Sequence, residues 1–423
     1  MTRLKFVHSA DLHLDSPFGG LRSLAPEIAE TLHEATFKAY DNIIDLCIQE
    51  NADALLVAGD IFDGADRSLR AQLKFVDGLN RLEAANIRAF ICHGNHHPLS
   101  GWAAQVTLPP NCHRFGSELE QVPVFEDEPD RAVVYGISYP QREVRENLVL
   151  RFSAIESEPF TIGLLHANVD NNAAHESYAP CSLKDLEATG IDYWALGHVH
   201  TKQVLREAEP TVVYPGNPQG RHPNEASPRG VYVVEVSDAG RVKLEFRAMD
   251  VVRWATVKID IGGIETDQAL LDSIDQEINH CQDSADGRDI IFRLILSGRG
   301  SLHDSLTRPG FVDDLLERVN ESGHRIRPFL WCERIQASTA SLIDREQQRR
   351  RSDFAGDLIR LSDEWQRTPN GIDEIRDNLR DLYGRGNAGR YLREHALTDD
   401  ELRELIADAE AACLAELLDE GGA

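Results

Sequence analysis

The stretch that decides the fold is residues 4–13, LKFVHSADLH. Its first six residues form a short, mostly apolar run of the length expected of a buried β-strand. Asp11 and His13 follow this run and are separated by one residue. On an extended backbone two such side chains leave the chain on the same face, so they can converge on one ion. The stretch therefore predicts a strand whose end carries metal-binding side chains.

Four further segments repeat this arrangement of an apolar run followed by polar residues. They are Gly59-Asp60-Ile61-Phe62-Asp63, Gly94-Asn95-His96-His97, the isolated His166, and Gly197-His198-Val199-His200. The glycines suit tight turns where the backbone must approach a cluster closely. Each segment is a weak signal alone, and a single histidine after a strand is more often a core residue than a ligand. Their shared order along the chain predicts one metal site built from all of them.

Strands alternate with helices as far as about residue 250, which predicts a layered α/β domain with functional loops at the strand ends. Helical periodicity covers residues 26–50 and 69–85. Later strands follow one another with fewer helices, so we expect mixed sheets that are partly antiparallel. The predicted strands are residues 4–9, 54–58, 88–92, 132–137, 161–165, 193–196, 211–214 and 231–236.

The pattern changes after the first domain, residues 1–250. Residues 251–337 alternate strand, helix, strand, helix and strand, which predicts a small α/β second domain. Residues 338–423 lack strands and are rich in Arg, Glu, Asp and Leu, so we expect an acidic helical tail with turns at 368–371 and 384–386. An apolar stripe at helical spacing near its end could pack on the protein itself or on a partner: Leu402, Leu405, Ile406, Ala409, Cys413 and Leu417.

Composition limits the class of protein. The seven cysteines are scattered and never form a CxxC pair, which argues against a disulfide framework and a zinc ribbon and favours a reducing cytoplasm. No run approaches the roughly 20 apolar residues of a membrane span, so no membrane contact is expected. The formal net charge of −27 argues against tight unaided binding of DNA. A solvated acidic surface and an acidic docking face both remain open.

The order DxH, GDxxD, GNH, H and GHxH resembles the calcineurin-like metallophosphoesterases. The resemblance implies a sandwich of mixed sheets flanked by helices, which agrees with the α/β class predicted above. It also implies the ligands of two metal ions. One ion would be held by Asp11, His13 and His200, the other by Asn95, His166 and His198, and Asp60 would bridge them.

Imidazole and carboxylate donors without thiolate suit Mn, Fe, Co or Zn better than Mg or Ca. Members of this family that act in DNA repair commonly use manganese, so two Mn²⁺ ions are expected, with Fe, Co and Zn as alternatives. Two divalent cations would lower the pKa of a water between them and stabilise charge on phosphate oxygens. The sequence has no GxxxxGK[ST] phosphate loop and no GxSxG nucleophile motif. We therefore expect phosphoester hydrolysis without a covalent intermediate.

The resemblance assigns His96 to the scissile phosphate, as the catalytic residue that stabilises the transition state or protonates the leaving oxygen. The family motif continues with Asp or Glu, whereas this chain has His97. An imidazole cannot supply the negative charge that favours the protonated form of His96. The substitution thus predicts a less basic His96 with reduced or pH-shifted activity. An alternative is that His97 is an extra metal ligand.

Flanking stretches resemble the YhaO branch of the SbcD-like DNA repair exonucleases: FVHSADLHLDSPF at residues 6–18 and YPGNPQGRH at 214–222. The resemblance covers the first domain well, the second loosely and the tail hardly at all. It implies a DNA exonuclease subunit with a large SMC-like coiled-coil ATPase as partner, and the tail is the expected docking region. Arg221 and His222 are candidate phosphate contacts or parts of a structural turn. Related nucleases often dimerise, so a homodimer is also open.

Two other functions remain open at this stage. One is a small-molecule or cyclic-nucleotide phosphodiesterase, which would need no partner. The other is a catalytically weakened binding or regulatory subunit of an ATPase complex, for which His97 would be the sign of relaxed catalysis.

Overall fold

The computed structural model describes residues 2–16, 18, 26–63, 68–100, 107–152, 159–170, 178–323, 328–378 and 398–419. Its contacts group the chain into two compact units. The first contains Met1–Val257, Asp275–Ile295 and Asp313–Gln336, and the second contains Lys258–Ile274, Leu296–Val312 and Ala337–Ala423. The division into domains at residues 250 and 337 stays a prediction.

The strands, numbered along the chain, are β1 Thr2–Ser9, β2 Ala54–Ala58, β3 Arg88–Cys92, β4 Cys112–Arg114, β5 Glu120–Pro123, β6 Ala132–Gly136, β7 Phe160–His166, β8 Tyr193–Gly197, β9 Gln203–Arg206, β10 Thr211–Tyr214, β11 Gly230–Ser237, β12 Val242–Ala248, β13 Val252–Asp260, β14 Asp289–Arg299 and β15 Leu330–Ala340. The α-helices are α1 Pro26–Gln49, α2 Leu69–Ala84, α3 Leu183–Glu187, α4 Asp267–Ser284, α5 His303–Leu306, α6 Phe311–Gly323, α7 Arg345–Arg349, α8 Phe354–Arg367, α9 Pro369–Asn378 and α10 Asp399–Asp419. Short 3-10 helices cover Leu148–Phe152 and Pro223–Glu225.

Two six-stranded mixed sheets dominate the first unit. Their orders are β12-β11-β1-β2-β3-β4 and β5-β6-β7-β8-β10-β9, and a third sheet has the order β13-β14-β15. In the first sheet β1, β2, β3 and β4 are parallel, while β11 and β12 are antiparallel to their neighbours. In the second, β6, β7, β8 and β10 are parallel and both edge strands are antiparallel. The expected mixed α/β class is confirmed.

The alternation of side chains along the strands builds a layered core. Phe6 of β1 and Leu56 of β2 pack against Ile162 of β7, in an apolar cluster between the two large sheets. Their sequence neighbours Val7 and Leu55 point the other way, toward the helices α1 and α2. Because side chains alternate between the faces of a strand, one apolar run can fill two cores. The two sheets are therefore packed as a sandwich with helices outside.

Helices of the tail pack among themselves in the second unit. Ile372 of α9 is buried with Leu402 and Ile406 of α10, and Leu414 of α10 is buried with α8. Arg345 bonds to Glu410 with an Nε–Oε1 distance of 2.6 Å. The buried face of α10 thus follows a four-residue spacing.

The predicted apolar stripe is divided by this packing. Leu402 and Ile406 are buried, but the remaining four positions lie on an exposed face of α10: Leu405, Ala409, Cys413 and Leu417. The predicted turn at 384–386 lies outside the described residues. No helix in the described part of the chain is long and apolar enough to cross a bilayer.

Candidate metal centre

Four loops and the last residue of β7 supply the predicted metal-binding side chains. The loops follow β1, β2, β3 and β8, and within each large sheet these strands run parallel. Because parallel strands end at one edge of a sheet, their loops meet there. Six of the seven predicted ligands are buried and the seventh is half-buried: Asp11, His13, Asp60, Asn95, His166, His198 and His200.

Among the described residues, three groups of three side chains bring candidate ligand atoms within 4.8 Å of one another. The first consists of Asp11, His13 and His200, the second of Asp11, Asp60 and His166, and the third of His13, Asp63 and His96. The first is the set that the resemblance assigns to one ion. The second contains the carboxylate assigned as the bridge, and Asp11 belongs to both of these groups.

His13 and His200 present the clearest evidence that a cation fits. Each has its Nδ1 beside a carboxylate, at 2.6 Å from Asp63 for His13 and 2.7 Å from Glu225 for His200. A carboxylate can only accept, so both Nδ1 atoms carry the proton and donate it. The two Nε2 atoms then face each other at 3.2 Å. This places them where one metal ion could take both as ligands, with the outer carboxylates holding both rings in place.

His166 repeats this arrangement at the second group. Its Nδ1 donates to the carbonyl oxygen of Ala58 at 3.0 Å. Its Nε2 faces two oxygens, Oδ1 of Asn95 at 3.0 Å and Oδ2 of Asp60 at 3.3 Å. Burial opposes a charge on the ring, but Asp60 and Asp11 attract one and raise the pKa of His166 to about 9. The pocket therefore requires positive charge at this Nε2, and either a proton or a metal ion can provide it.

Burial and neighbouring charges set the ionisation of the remaining donors. Burial lowers the pKa of His13 to about 4, so its ring is a neutral ligand at pH 7. Burial also raises the pKa of Asp11. For Asp60 burial acts in the same direction, but the nearby His166 outweighs it and the pKa is lowered. This carboxylate is therefore ionised, as a bridge between two cations must be.

His198 and Asn95 lie beside the second group. The His198 ring is 5.2 Å from the His166 ring between centroids, and its backbone N–H donates to Asp11 at 3.1 Å. Asn95 Oδ1 is in contact with His166, as given above. The structure thus brings all seven predicted ligands to one place, and their division between two ions stays a prediction.

The backbone of the ligand loops differs from the expectation. Four of these residues have positive φ, namely Asp11 at 49°, His13 at 43°, Asp60 at 40° and His198 at 103°. They do not lie on extended backbone, because each follows a strand that has already ended. Non-glycine residues in this region cost about 1–3 kcal/mol each, and such strain is concentrated at functional sites. The left-handed turns, and not strand geometry, aim the ligands at one another.

His96 lies at the outer side of the centre with 40% of its side chain exposed. Its backbone N–H donates to Asp60 at 2.9 Å, and its Nδ1 lies 3.3 Å from Asp63 Oδ1. The contact with Asp63 is the main cause of a raised pKa of His96. The expectation of a less basic His96 is therefore wrong. Asp63, the last residue of GDxxD, supplies the carboxylate that the family places directly after the histidine.

His97 is buried away from the ligand atoms. Its ring packs 4.1 Å from that of His93 and 4.9 Å from that of Phe62, measured between centroids. It belongs to none of the groups of candidate metal ligands found among the described residues. The position is thus a packing position.

Arg221 and His222 adopt different roles. Arg221 is only 12% exposed and forms an ion pair with Asp63 at 3.0 Å. His222 is 43% exposed, and its Nε2 lies 3.3 Å from Glu225. Its Nδ1 accepts a hydrogen bond from the Asn224 N–H at the start of a short 3-10 helix. Of the two candidate phosphate contacts, His222 is the one at the surface.

Sequence reasoning gave no role to Asp63 and missed Glu225. The signal for Asp63 was present, since it lies three residues after Asp60 in the quoted segment. Glu225 had no comparable signal, because it ends a short 3-10 helix and its contact with His200 depends on the tertiary structure. Burial opposes its ionisation, but bonds from His200 and His222 lower the pKa of Glu225.

Comparison with known families matches two parts of the chain. Residues 4–202 match "Calcineurin-like phosphoesterase", and residues 254–340 match "Metallophosphoesterase YhaO, middle domain". An uncharacterized metallophosphoesterase YhaO from Bacillus subtilis is 35% identical over 340 residues, which is 80% of this chain and 83% of the relative.

More distant relatives are DNA double-strand break repair proteins Mre11 from archaea. The protein from Sulfurisphaera tokodaii is 26% identical over 49% of this chain and 51% of its own length, and that from Aeropyrum pernix is 27% identical over 50% and 53%. This chain therefore spans about half the length of these two relatives. A solved dimetal phosphatase from Danio rerio aligns with 59% of this chain and 97% of its own at 11% identity and a TM-score of 0.37.

Proposed function

Since this chain belongs to the calcineurin-like metallophosphoesterases, we propose that it is a two-metal phosphodiesterase and the nuclease subunit of a DNA repair complex. The observation that carries the phosphodiesterase part is the pairing of imidazoles around two buried carboxylates. His13 and His200 meet at 3.2 Å, and His166 meets Asp60 at 3.3 Å. Each pair offers atoms that can hold a cation, and the two pairs are adjacent because Asp11 belongs to both groups.

The donor set combines nitrogen and oxygen without thiolate, which suits Mn, Fe, Co or Zn. Manganese is the proposed metal because of the resemblance to family members that act in DNA repair. When bound, two such ions activate water and neutralise charge on the phosphate oxygens. The chain supplies the remaining functions. Asp60 fixes the backbone of His96, and Asp63 raises the pKa of its ring. His96 can thus donate a proton to a leaving oxygen at the exposed side of the centre.

DNA is the proposed substrate because the Mre11 relatives are named for the repair of DNA double-strand breaks. The exposed side of the centre leaves room for a phosphodiester to approach. There His96 is 40% exposed and His200 is 22% exposed, so a phosphate can reach them from solvent. The net charge of −27 counts against tight unaided binding of DNA, and a second chain could supply positive surface for the DNA backbone.

A large SMC-like coiled-coil ATPase is the proposed partner, and the exposed face of α10 is its proposed docking site. Leu405 is 44% exposed and Leu417 is 36% exposed, and the exposed Ala409 and Cys413 lie between them at four-residue intervals. Apolar residues at this spacing suit a helix that lies in a groove of a partner. Charged substitutions of both should abolish co-purification with the ATPase, while Leu150→Glu, at a 65% exposed position outside the tail, should not. Retained binding by the double variant would remove this role of the tail.

A small-molecule phosphodiesterase is the second candidate, and the acidic charge favours it because such a substrate needs no basic surface. The regulatory alternative loses its main support. It rested on the missing carboxylate after His96, and Asp63 occupies that role.

The test begins with Mn²⁺-dependent hydrolysis of bis(p-nitrophenyl) phosphate by the full chain, which we expect for the wild type and not for Asp60→Asn. Linear duplex DNA, single strands and cyclic nucleotides are then compared, with and without the ATPase. Cleavage of DNA that increases with the ATPase supports the proposal. Rapid hydrolysis of cyclic nucleotides alone supports the second candidate. Absence of all hydrolysis with two bound ions would support the regulatory alternative.

A further inference from the structure

We propose that Arg221 is a positioning residue for one of the two metal positions, and not a contact to the substrate phosphate. It connects Asp63 and Glu225, the two carboxylates that hold His13 and His200. This inference rests on the proposed two-metal function but not on DNA as the substrate.

The contact with Asp63 is direct. Nη1 of Arg221 donates to Oδ2 of Asp63 at 3.0 Å and to Oγ of Ser16 at 2.8 Å. The other oxygen of Asp63 accepts from Nδ1 of His13 at 2.6 Å. Asp63 therefore stands between the guanidinium and the imidazole, and the position of one determines that of the other.

The contact with Glu225 involves both the backbone and the side chain. The backbone N–H of Arg221 donates to Oε2 of Glu225 at 2.7 Å, and Nη2 lies 3.8 Å from Oε1. That same Oε1 accepts from Nδ1 of His200 at 2.7 Å. Asn217 donates to Oε2 at 2.9 Å and completes the surroundings of this nearly buried carboxylate.

The two contacts together place one cation between two anions. Asp63 and Glu225 repel each other, and a planar guanidinium whose donors point in fixed directions compensates both. The histidines that these carboxylates hold, His13 and His200, have Nε2 atoms only 3.2 Å apart. Fixing both carboxylates thus fixes the distance between two ligands of one ion, as residues behind metal ligands do in other sites.

The burial of Arg221 argues against the alternative that it contacts the substrate phosphate. Only 12% of its side chain is exposed, and one terminal nitrogen is committed to Ser16 and Asp63. A phosphate contact would have to displace Asp63, which would release His13 at the same time. The neighbouring His222 is more accessible, with 43% exposure, although its Nε2 lies 3.3 Å from Glu225.

The test compares Arg221→Met and Arg221→Lys in the full chain. Mn²⁺ per chain is measured by elemental analysis and by titration, and electron paramagnetic resonance distinguishes a coupled Mn²⁺ pair from single ions. We expect Arg221→Met to lose affinity for one ion by about 10–100-fold, the usual effect of removing a residue that supports metal ligands, with loss of the coupled signal. Arg221→Lys should recover part of the lost affinity, because lysine restores the charge but not the planar guanidinium with its fixed donors.

Arg151→Met is the matched control, because Arg151 also joins two carboxylates, Glu146 at 2.7 Å and Glu118 at 3.3 Å, outside the metal centre. It should bind two ions like the wild type. The proposal is overturned if Arg221→Met binds both ions with unchanged affinity and shows only a raised KM, as a phosphate contact would. A wild type that binds two ions without cutting DNA would contradict the nuclease proposal alone.

Discussion

The Asp63 carboxylate lies 3.3 Å from Nδ1 of His96, although the sequence places a histidine, His97, where the family has the acidic partner of this residue. Asp63 comes from the loop after β2 and His96 from the loop after β3, so the pair forms between two neighbouring parallel strands. A carboxylate from a different loop therefore raises the pKa of His96.

His96→Gln tests the role of this histidine. Glutamine keeps a polar side chain but cannot transfer a proton at neutral pH, so we expect kcat for bis(p-nitrophenyl) phosphate to fall by about 10²–10⁴-fold, the usual contribution of general acid catalysis. Mn²⁺ content should stay at the wild-type value, because His96 is not among the predicted ligands. His113→Gln is the matched control, since His113 also pairs with a carboxylate, Glu120 at 2.9 Å, outside the centre. Equal kcat in both variants would contradict the assignment.

His97→Asp restores the family motif but should not improve catalysis. His97 is 2% exposed and packs on His93 and Phe62, so an aspartate here would bury a carboxylate among rings. We expect a loss of roughly 1–3 kcal/mol in the free energy of unfolding, the cost of burying a poorly compensated polar group. The pH-rate profile should be unchanged, because Asp63 already serves His96. A shift of the profile with unchanged stability would show that the missing carboxylate matters.

Much of the fold could be predicted because several strands are apolar runs that end in metal-binding side chains. The run 54–58 matches β2 at both ends, and 4–9 and 193–196 fall within β1 and β8. The short edge strands were missed. β4 and β9, for example, have half-buried side chains on both faces and so carry no apolar pattern. Tertiary pairing alone makes them strands.

The sequence spacing pointed to the ligand residues, although the backbone geometry expected of them was wrong. Asp11 and His13 were expected to share a face of extended backbone, but both have φ near 45°. The spacing identified the pair, because any tight loop can bring residues two apart together. Glu225 could not be found this way, since its contact with His200 joins residues that are 25 apart.

Metal binding should release a proton. The opposing effects of burial and of Asp60 leave the pKa of His166 at about 9, so at pH 7 the metal-free ring is charged and must lose its proton to become a ligand. Affinity for Mn²⁺ should therefore rise about tenfold per pH unit between pH 6 and 8 and level off above pH 9. Titration calorimetry at pH 7 in buffers of different ionisation enthalpy measures the release. We expect His166 to release about one proton when Mn²⁺ binds, and the His166→Gln variant should not release this proton. Binding that is independent of pH would contradict a charged His166.

Gly197→Ala should damage both the fold and the centre, because the two sheets approach each other closely at this residue. A Cβ at position 197 would lie 1.6 Å from the carbonyl oxygen of Ala58, a backbone atom at the end of β2 that cannot turn away. The strands β8 and β2 must then separate, which moves His198 and Asp60 apart. We expect the free energy of unfolding to fall by roughly 1–3 kcal/mol or more, as is typical of overpacking, together with loss of Mn²⁺ binding.

Gly240→Ala provides the control for this substitution, since a Cβ at position 240 meets nothing within 4 Å, although φ there is +73°. It should cost only the backbone strain of about 1–2 kcal/mol and leave Mn²⁺ binding intact. Thermal unfolding and metal content measure both variants. If Gly197→Ala kept two ions and the stability of the control, the close approach of the sheets would not be what holds Asp60 and His198 together.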